Sequence, residues 1–363
     1  MSAVTSAKTT GLEAGVVTGP DYLTLVKACK DGGYALPAVN VVNTHGINAV
    51  LEAAAAAGSD VIIQLSGGGA QFFAGKGIKN SEEAKVLGAV SAARHVHSVA
   101  RAYGICAVLH TDHANRKLIP WVEGMIGYSE EEFARTGRPL FSSHMLDLSE
   151  EPIDDNLAEC ARILKRLAPI DMSLEIELGV TGGEEDGVGQ DVDQIDNSRL
   201  YTQPEDVMQA HALLSPIGHF SVAAAFGNVH GVYKPGNVIL RPEILAHSQE
   251  LARKTLGTSD KLFDFVFHGG SGSEKAKITE AVGYGVFKMN IDTDTQFVFA
   301  EAIGKYVEAH ARAFKYQIDP DTDQPYKKQY DPREWLRQGE LAIVERLKQA
   351  FDDLGSTGKS LAG

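Results

Sequence analysis

Short runs of apolar, β-branched and aromatic residues alternate with longer helical stretches along most of the chain. This alternation is typical of βα units, which place their strands in one parallel sheet. Eight runs have the length and composition of buried strands. They cover residues 35–43, 61–68, 106–113, 140–148, 172–180, 220–232, 263–272 and 284–294. Together they span roughly the ~250 residues of a typical (β/α)8 (TIM) barrel, which is the α/β fold that the pattern predicts.

Polar residues concentrate at one end of these runs. Nearly every run begins with apolar residues and ends in Asn, Ser, Asp, His, Glu or Gly. In a (β/α)8 barrel the carboxyl ends of the strands, with the loops that follow them, build the active site. We therefore expect the chemistry at one rim. An open, doubly wound sheet is the alternative architecture for the same alternation.

Two segments depart from the repeated units. Residues 180–198, after the fifth strand, are acidic and rich in glycine, which predicts a mobile loop over a site. From residue 316 a turn-rich stretch leads into a closing helix with apolar residues at helical spacing. We predict a single catalytic domain over residues 1–363, with the barrel at about 35–315 and a C-terminal helical extension at about 316–363.

Composition excludes several classes of protein. The formal net charge of −14 argues against a nucleic-acid surface, which needs clustered Lys and Arg. An anionic substrate must then be held by a local site. Three cysteines without paired spacing predict neither a disulfide framework nor a thiolate zinc site, and favour a cytoplasmic location. The absence of a long apolar run gives no reason to expect secretion or membrane insertion.

Three predicted strands supply a histidine each at or just beyond their polar ends, namely His113, His230 and His268. A closed barrel would bring these residues around one rim. Zinc prefers imidazole nitrogen, and open catalytic zinc sites use three protein ligands. The sequence therefore predicts a catalytic Zn²⁺ site.

Carboxylates lie close to these histidines. Asp112 precedes His113, Asp147 ends the fourth strand, and Glu175 and Glu177 share one face of the fifth. Acids inside a barrel are costly unless they are paired or bound to a metal. Asp147 and Glu177 could form a second cation site or orient the histidines. A structural ion pair and a functional role are both open for Glu175.

Two glycine- and hydroxyl-rich segments follow the last two strands, HGGSGS at 268–273 and NIDTDT at 290–295. Barrel enzymes often bind phosphate in these loops, where backbone amides converge and glycine permits close approach. Lys327, Lys328 and Arg333 in the turn-rich tail could engage a second phosphate, or form a solvated basic patch.

These motifs make the chain resemble the longer subclass of the class II, zinc-dependent fructose-bisphosphate aldolases. The resemblance runs from ALPAVN at 35–40 to DPREWLR at 331–337, nearly the whole chain. It is carried by HTDH, LFSSHMLDLSEE, LEIELGVTGGEEDG, YTQPEDV, AAFGNVHGVYKPGN, FVFHGGSGS, KMNIDTDTQ and YDPREWLR. The implied activity is reversible cleavage of fructose 1,6-bisphosphate to dihydroxyacetone phosphate and glyceraldehyde 3-phosphate, in glycolysis and gluconeogenesis.

The resemblance also implies a role for individual residues. The catalytic Zn²⁺ would be held by His113, His230 and His268, and the second metal position by Asp147 and Glu177. Asp112 would be the acid/base on the aldehyde oxygen, Glu185 would exchange the proton on the dihydroxyacetone phosphate carbon, and Asn290 would donate a hydrogen bond to the enediolate oxygen. The dihydroxyacetone phosphate half would be bound by Gly231, Gly269, Gly270, Ser271, Asn290, Asp292 and Thr293. The other half would be bound by Asn40, Ser66, Lys327 and Arg333. The resemblance further implies a homodimer and a monovalent cation, Na⁺ or K⁺, near the phosphate loops.

Three other enzymes remain as alternatives at the level of sequence. A non-catalytic binding protein is a fourth alternative, but it would give no reason for Asp112 to stand beside a zinc ligand. A tagatose 1,6-bisphosphate aldolase differs by one stereocentre of the sugar, although the C-terminal extension favours the fructose enzyme. A class I aldolase would use Lys288, in the eighth strand, as a Schiff base, but that mechanism needs no three histidines. A zinc-dependent barrel hydrolase more often carries a His-X-His pair at its first strand, where this chain has Asn40 and Asn43.

Overall fold

The computed structural model describes residues 11–179, 201–228, 240–258, 261–269 and 273–363, with the backbone of 183–185 and 188–190. In these ranges the strands are β1 (Gly15–Val16), β2 (Leu36–Asn40), β3 (Val61–Leu65), β4 (Cys106–Thr111), β5 (Ser143–Leu146), β6 (Ser173–Leu178), β7 (Gly183–Glu185), β8 (Val188–Gln190), β9 (Phe220–Ala224), β10 (Phe265–Phe267) and β11 (Val286–Ile291). Each of the eight predicted strand segments contains one of them.

Helices lie between the strands and in the C-terminal extension. They are α1 (Gly19–Gly32), α2 (Thr44–Ala57), α3 (Gly67–Ala74), α4 (Ser81–Tyr103), α5 (Ile119–Thr136), α6 (Ile153–Leu167), α7 (Pro204–Leu214), α8 (Glu243–Leu256), α9 (Lys275–Gly283), α10 (Thr293–Ala309), α11 (Lys327–Tyr330) and α12 (Pro332–Asp353). Short 3₁₀ turns cover Arg116–Leu118 and Ala168–Ile170. Among the described residues, no helix is both long enough and apolar enough to cross a membrane.

Nine parallel strands form one sheet in the order β1-β4-β3-β2-β11-β10-β9-β6-β5. The sheet curls so that its β5 edge lies beside β4. The backbone amide of Ser142, just before β5, donates to the carbonyl of Leu109 in β4 at 2.9 Å. Side chains join the same two strands, through His110 with Ser143 and Thr111 with His144, both at 2.8 Å. The α/β class and the parallel sheet are therefore confirmed.

Two short features were missed by the sequence prediction. Strand β1 has two residues and pairs with β4, which is too short a segment for an apolar pattern. Strands β7 and β8 form an antiparallel hairpin inside the segment that was predicted to be only a loop. Its sequence, GEEDGVGQ, has no apolar alternation from which pairing could be predicted.

Burial divides the fold into an inner and an outer core. The outer core lies between sheet and helices, while the inner one joins inward-facing strand residues such as Ile62, Val108 and Phe287. Helix α1 contributes Tyr22 and Leu25 to this inner core. The ammonium group of Lys30, near the end of α1, donates to the Lys261 carbonyl before β10, so α1 covers the amino ends of the strands. The carboxyl ends are left for the polar residues.

Helix boundaries follow from local capping. The side chain of Ser66 accepts the amide of Gly69 at 3.1 Å and begins α3, and Asn43 caps α2 in the same way. Helix α4 begins at the Asn80 cap and ends at Gly104 in the left-handed conformation, which glycine adopts without strain. The caps Ser66 and Asn43 follow β3 and β2, so two helix amino termini lie near the polar strand ends.

Close packing of α3 against α4 predicts a sharp difference between two glycines. A methyl group on Gly88 in α4 would lie 1.7 Å from the carbonyl oxygen of Ala70 in α3, whereas one on Gly127 in α5 would meet nothing within 4 Å. We expect Gly88→Ala to lower the free energy of unfolding by about 1–3 kcal/mol through overpacking. Gly127→Ala should leave it unchanged or raise it by up to about 1 kcal/mol. Chemical denaturation of both variants makes the comparison, and equal midpoints would contradict the described packing of α3 on α4.

Candidate metal centre and active site

Two histidines at the carboxyl ends of β4 and β10 face a shared carboxylate. The Oε2 atom of Glu177 lies 3.3 Å from Nε2 of His113 and 3.4 Å from Nδ1 of His268. The two imidazole rings are 4.6 Å apart between centroids. All three side chains are buried. The prediction that these strand ends converge on one rim is met for His113 and His268, whereas His230 lies outside the described residues.

Two overlapping sets of side chains have the geometry of a metal site. Asp112, His113 and His268 each offer a ligand atom, all within 4.8 Å of one another. His113, Asp147 and Glu177 form a second set within the same limit. Imidazole nitrogen with carboxylate oxygen is a donor set that suits zinc and other first-row divalent ions. The residues present therefore fit a divalent metal at the predicted position.

Charge in the cluster also fits a cation. Asp112, Glu175 and Glu177 are almost completely buried, while Lys288 is the one buried ammonium among the described residues around them. Asp147 adds a further acid beside Glu177. The pKa of Asp147 is raised by burial and by the charge of Glu177. Buried carboxylates in such excess need a positive partner.

The histidines respond to this excess of negative charge. Burial alone would lower the pKa of His113, but Asp112 and Glu177 raise it well above its usual value. The pKa of His268 is raised to about 9, because Glu177 and Glu175 outweigh the effect of burial. Burial acts to raise the pKa of Asp112, yet His113 and Lys288 hold it well below its usual range.

Asp112 is held between two amides. Its Oδ2 accepts from Nδ2 of Asn40 at 2.9 Å, and its Oδ1 accepts from Nδ2 of Asn290 at 3.1 Å. The Oδ1 atom also lies 3.1 Å from Nδ1 of His113. These contacts fix the carboxylate in one orientation beside the candidate metal ligands, where it can exchange a proton with a bound hydroxyl. The sequence analysis assigned Asn40 to substrate binding and Asn290 to both substrate binding and catalysis, but it predicted no contact of either residue with Asp112.

Gln64, at the end of β3, was missed by the sequence analysis. Its Nε2 donates to Oδ1 of Asn40 at 2.5 Å, which orients the Asn40 amide toward Asp112. Gln64 is fully buried, and it occupies the last but one position of a strand that is otherwise apolar. A lone polar residue inside such a strand was the signal that could have identified it.

Lys288 belongs to an ion pair. Its ammonium group donates to Oε1 of Glu175 at 2.9 Å, and both side chains are buried. The same Oε1 lies 2.9 Å from Nε2 of His268. Lys288 is therefore the ion-pair partner of Glu175 within the cluster.

The predicted phosphate residues are only partly described. Gly269 has a φ of 60°, a left-handed conformation that favours glycine. Asp292 directly precedes α10, whose first residue is Thr293, and its Oδ1 accepts from the side-chain amide of Gln296 at 2.7 Å. Gly231, Gly270, Ser271 and the side chain of Glu185 lie outside the described residues. Ser66 begins α3 after β3, the strand that also carries Gln64.

Lys327 and Arg333 are not brought to the cluster of their own chain. The hydroxyl of Tyr306 donates to the carbonyl of Gln329 at 3.1 Å, so α11 lies near the far end of α10. That point is about 20 Å along the helix from Thr293, given a rise of ~1.5 Å per residue. Arg333 is strongly exposed and pairs with its neighbour Asp331.

Comparison with known proteins identifies the family of the chain. The family model described as "Fructose-bisphosphate aldolase class-II" matches residues 21–359. The chain is 51% identical over 350 residues to "Fructose-bisphosphate aldolase class 2" of Escherichia coli K12, covering 95% of this chain and 97% of that one. It is 53% identical over 353 residues to "Fructose-bisphosphate aldolase" of Campylobacter jejuni serotype O:2, covering 96% and 98%.

A solved structure gives the same result. The crystal structure of fructose-bisphosphate aldolase from Campylobacter jejuni superposes with a TM-score of 0.87 at 52% identity, covering 96% of this chain and 98% of that one. The family model, the relatives and the solved structure thus agree over most of the chain. The chain belongs to the class II fructose-bisphosphate aldolase family.

Proposed function

We propose that this protein cleaves fructose 1,6-bisphosphate reversibly to dihydroxyacetone phosphate and glyceraldehyde 3-phosphate. The observation that carries the proposal is the buried Asp112 carboxylate, fixed by two amides within 3.1 Å and adjacent to His113. A positioned acid/base beside a metal-type cluster is what aldol cleavage requires. The relatives of this chain carry the name of the same activity.

The fold proposed for this activity is a closed (β/α)8 barrel in one catalytic domain, with the C-terminal extension packed on it. The contacts that return β5 to β4 support closure. Helix α12 supports attachment of the extension, because Arg337 forms two contacts of 2.7 Å with Glu52 in α2. We place the enzyme in the cytoplasm, on its free buried cysteines.

The proposed metal is zinc, held by His113, His268 and His230. Zinc bound there would act as a Lewis acid that stabilises negative charge on the substrate oxygens. Asp147 and Glu177 form the proposed position of a second divalent ion. A monovalent cation, Na⁺ or K⁺, belongs near the phosphate loops in this proposal.

Residues of the chain itself move the protons. In the cleavage direction Asp112 takes the proton of the C4 hydroxyl as the carbonyl forms. Asn290, whose amide donates to Asp112, would also donate a hydrogen bond to the developing oxyanion. Glu185 then protonates the carbon of the enediolate. Exchange of that proton with tritiated water in dihydroxyacetone phosphate measures the Glu185 step alone.

Substrate contacts are divided between the two phosphates. The dihydroxyacetone phosphate half is assigned to Gly231, Gly269, Gly270, Ser271, Asn290, Asp292 and Thr293. The other half is assigned to Asn40, Ser66, Lys327 and Arg333. Lys327 and Arg333 lie beyond the far end of α10, so they can serve only the site of a second copy. Helix α10 leaves Phe297 66% exposed, and we propose that it lies in a homodimer interface.

Tagatose 1,6-bisphosphate is the second candidate substrate. It differs from the fructose compound at one stereocentre, and the described side chains contain no feature that selects between the two. The C-terminal extension and the names of the relatives favour fructose. Neither the described site nor the relatives favour a barrel hydrolase.

Removal of the metal tests the proposed function. Purified protein should cleave fructose 1,6-bisphosphate, lose that activity in EDTA and regain it when Zn²⁺ is added, because the cluster would lose its Lewis acid. A coupled assay for dihydroxyacetone phosphate follows the reaction. Activity that survives EDTA but is destroyed by borohydride would instead assign the chemistry to Lys288. Tagatose 1,6-bisphosphate, assayed in parallel, resolves the choice of sugar.

Replacement of Asp112 tests its role as a proton carrier. Asp112→Asn keeps the shape of the side chain, but it cannot accept the hydroxyl proton, and its single oxygen can keep only one of the two hydrogen bonds from Asn40 and Asn290. We expect kcat to fall by roughly 10²–10⁴-fold, with zinc content unchanged. Asp323→Asn, the same change at an exposed position, is the control. Loss of zinc from the Asp112 variant would make Asp112 a metal ligand and contradict the assignment.

A further inference from the structure

Glu175 connects a buried lysine to one of the candidate metal ligands. Its Oε1 atom lies 2.9 Å from the ammonium of Lys288 and 2.9 Å from Nε2 of His268. Its Oε2 atom lies 3.5 Å from Nε2 of His110. All four side chains are at most 2% exposed. Glu175 is therefore the shared acceptor of Lys288 and His268, with the His110 ring beside its other oxygen.

We propose that Glu175, paired with Lys288, is a positioning residue that fixes the nitrogen through which His268 faces the metal. This inference rests on the proposed function, because it requires a metal at the His113–His268 cluster. Glu175 touches neither the substrate nor the reacting atoms in this account. It acts through His268.

The direction of the His268 ring carries the argument. A carboxylate accepts only, so the imidazole proton lies on Nε2, the nitrogen that faces Glu175. In the neutral ring the lone pair is then on Nδ1. That nitrogen points the other way, toward Glu177 Oε2 at 3.4 Å, and so toward the cluster. Carboxylates that bind the second nitrogen of a metal-ligating histidine set both its tautomer and its orientation.

The ion pair with Lys288 explains why the Glu175 carboxylate can be buried inside the sheet. β6 and β11 are separated by β9 and β10 in the sheet, so Lys288 reaches Glu175 across the inner face. A buried carboxylate without a partner would be strongly destabilising. Lys288 provides the compensating charge at Oε1, the same oxygen that contacts His268. His110, fixed by Ser143 at 2.8 Å, limits movement of the second oxygen.

A purely structural ion pair is the competing explanation, and zinc affinity separates the two. If Glu175 positions His268, Glu175→Gln should weaken zinc binding by roughly 10–100-fold, measured by competition with a chromophoric chelator. If Lys288 acts only through Glu175, Lys288→Met should also weaken binding, and the double variant should lose no more than Glu175→Gln alone. Glu250→Gln and Lys254→Met, which break an exposed pair in α8, are the matched controls.

Unaltered zinc affinity in Glu175→Gln would overturn the proposal, even if the thermal stability of the chelated protein fell. Losses that add in full in the double variant would also overturn it, since Lys288 would then act independently. If the unmodified protein itself binds no zinc, both the proposed metal centre and this inference fail. A different result is that the unmodified protein and Glu175→Gln both bind zinc normally. That result would reject only the role of Glu175 and leave the metal centre intact.

The unmodified protein provides a test that does not depend on whether a variant folds. In a high-resolution crystal structure of the zinc-loaded enzyme, we expect the metal on Nδ1 of His268, with Nε2 on Glu175. Zinc bound through Nε2, with Glu175 displaced from that ring, would contradict the proposal.

Discussion

Burial of several carboxylates inside one sheet is the constraint on which the rest of the structure depends. Asp112, Glu175 and Glu177 are almost fully buried, and Lys288 supplies one positive charge among them. Two negative charges remain among these four side chains if the histidines are neutral, and Asp147 lies beside them as a further acid. A divalent cation would balance that excess, and protons on His113 and His268 can do so when no metal is bound, which is why their pKa values are raised. Metal binding and protonation of the histidines are therefore two ways to balance the same buried negative charge.

The fold places this charge where it can be used. Helix α1 packs apolar residues such as Tyr22 and Leu25 into the amino end of the inner face, so polar groups collect at the carboxyl ends. The chain as a whole has a formal net charge of −14, which repels a bisphosphate. A substrate with two phosphates must therefore be attracted by local features. Helix amino termini such as those of α3 and α10, together with a bound metal, are such features.

Much of this could be predicted from the sequence, because it depends on local patterns. Apolar runs that end in polar residues predicted eight of the nine strands of the sheet. Histidines at those ends predicted the positions of His113 and His268. Side-chain partners across the sheet could not be predicted. The contacts of Asn40 and Asn290 with Asp112, and of Lys288 with Glu175, join strands far apart in the chain. Gln64 and the hairpin β7–β8 were missed, since neither produces a periodic signal.

The most direct test of the central claim is a calorimetric titration of Zn²⁺ into chelator-stripped protein near pH 7, repeated in buffers of different ionisation enthalpy. We predict one tight zinc site per chain that is lost in His113→Ala. Binding should release about one to two protons, as the cation replaces them on the imidazoles. Zinc binding without proton release, or binding that is undiminished in His113→Ala, would show that the buried cluster is not the metal centre.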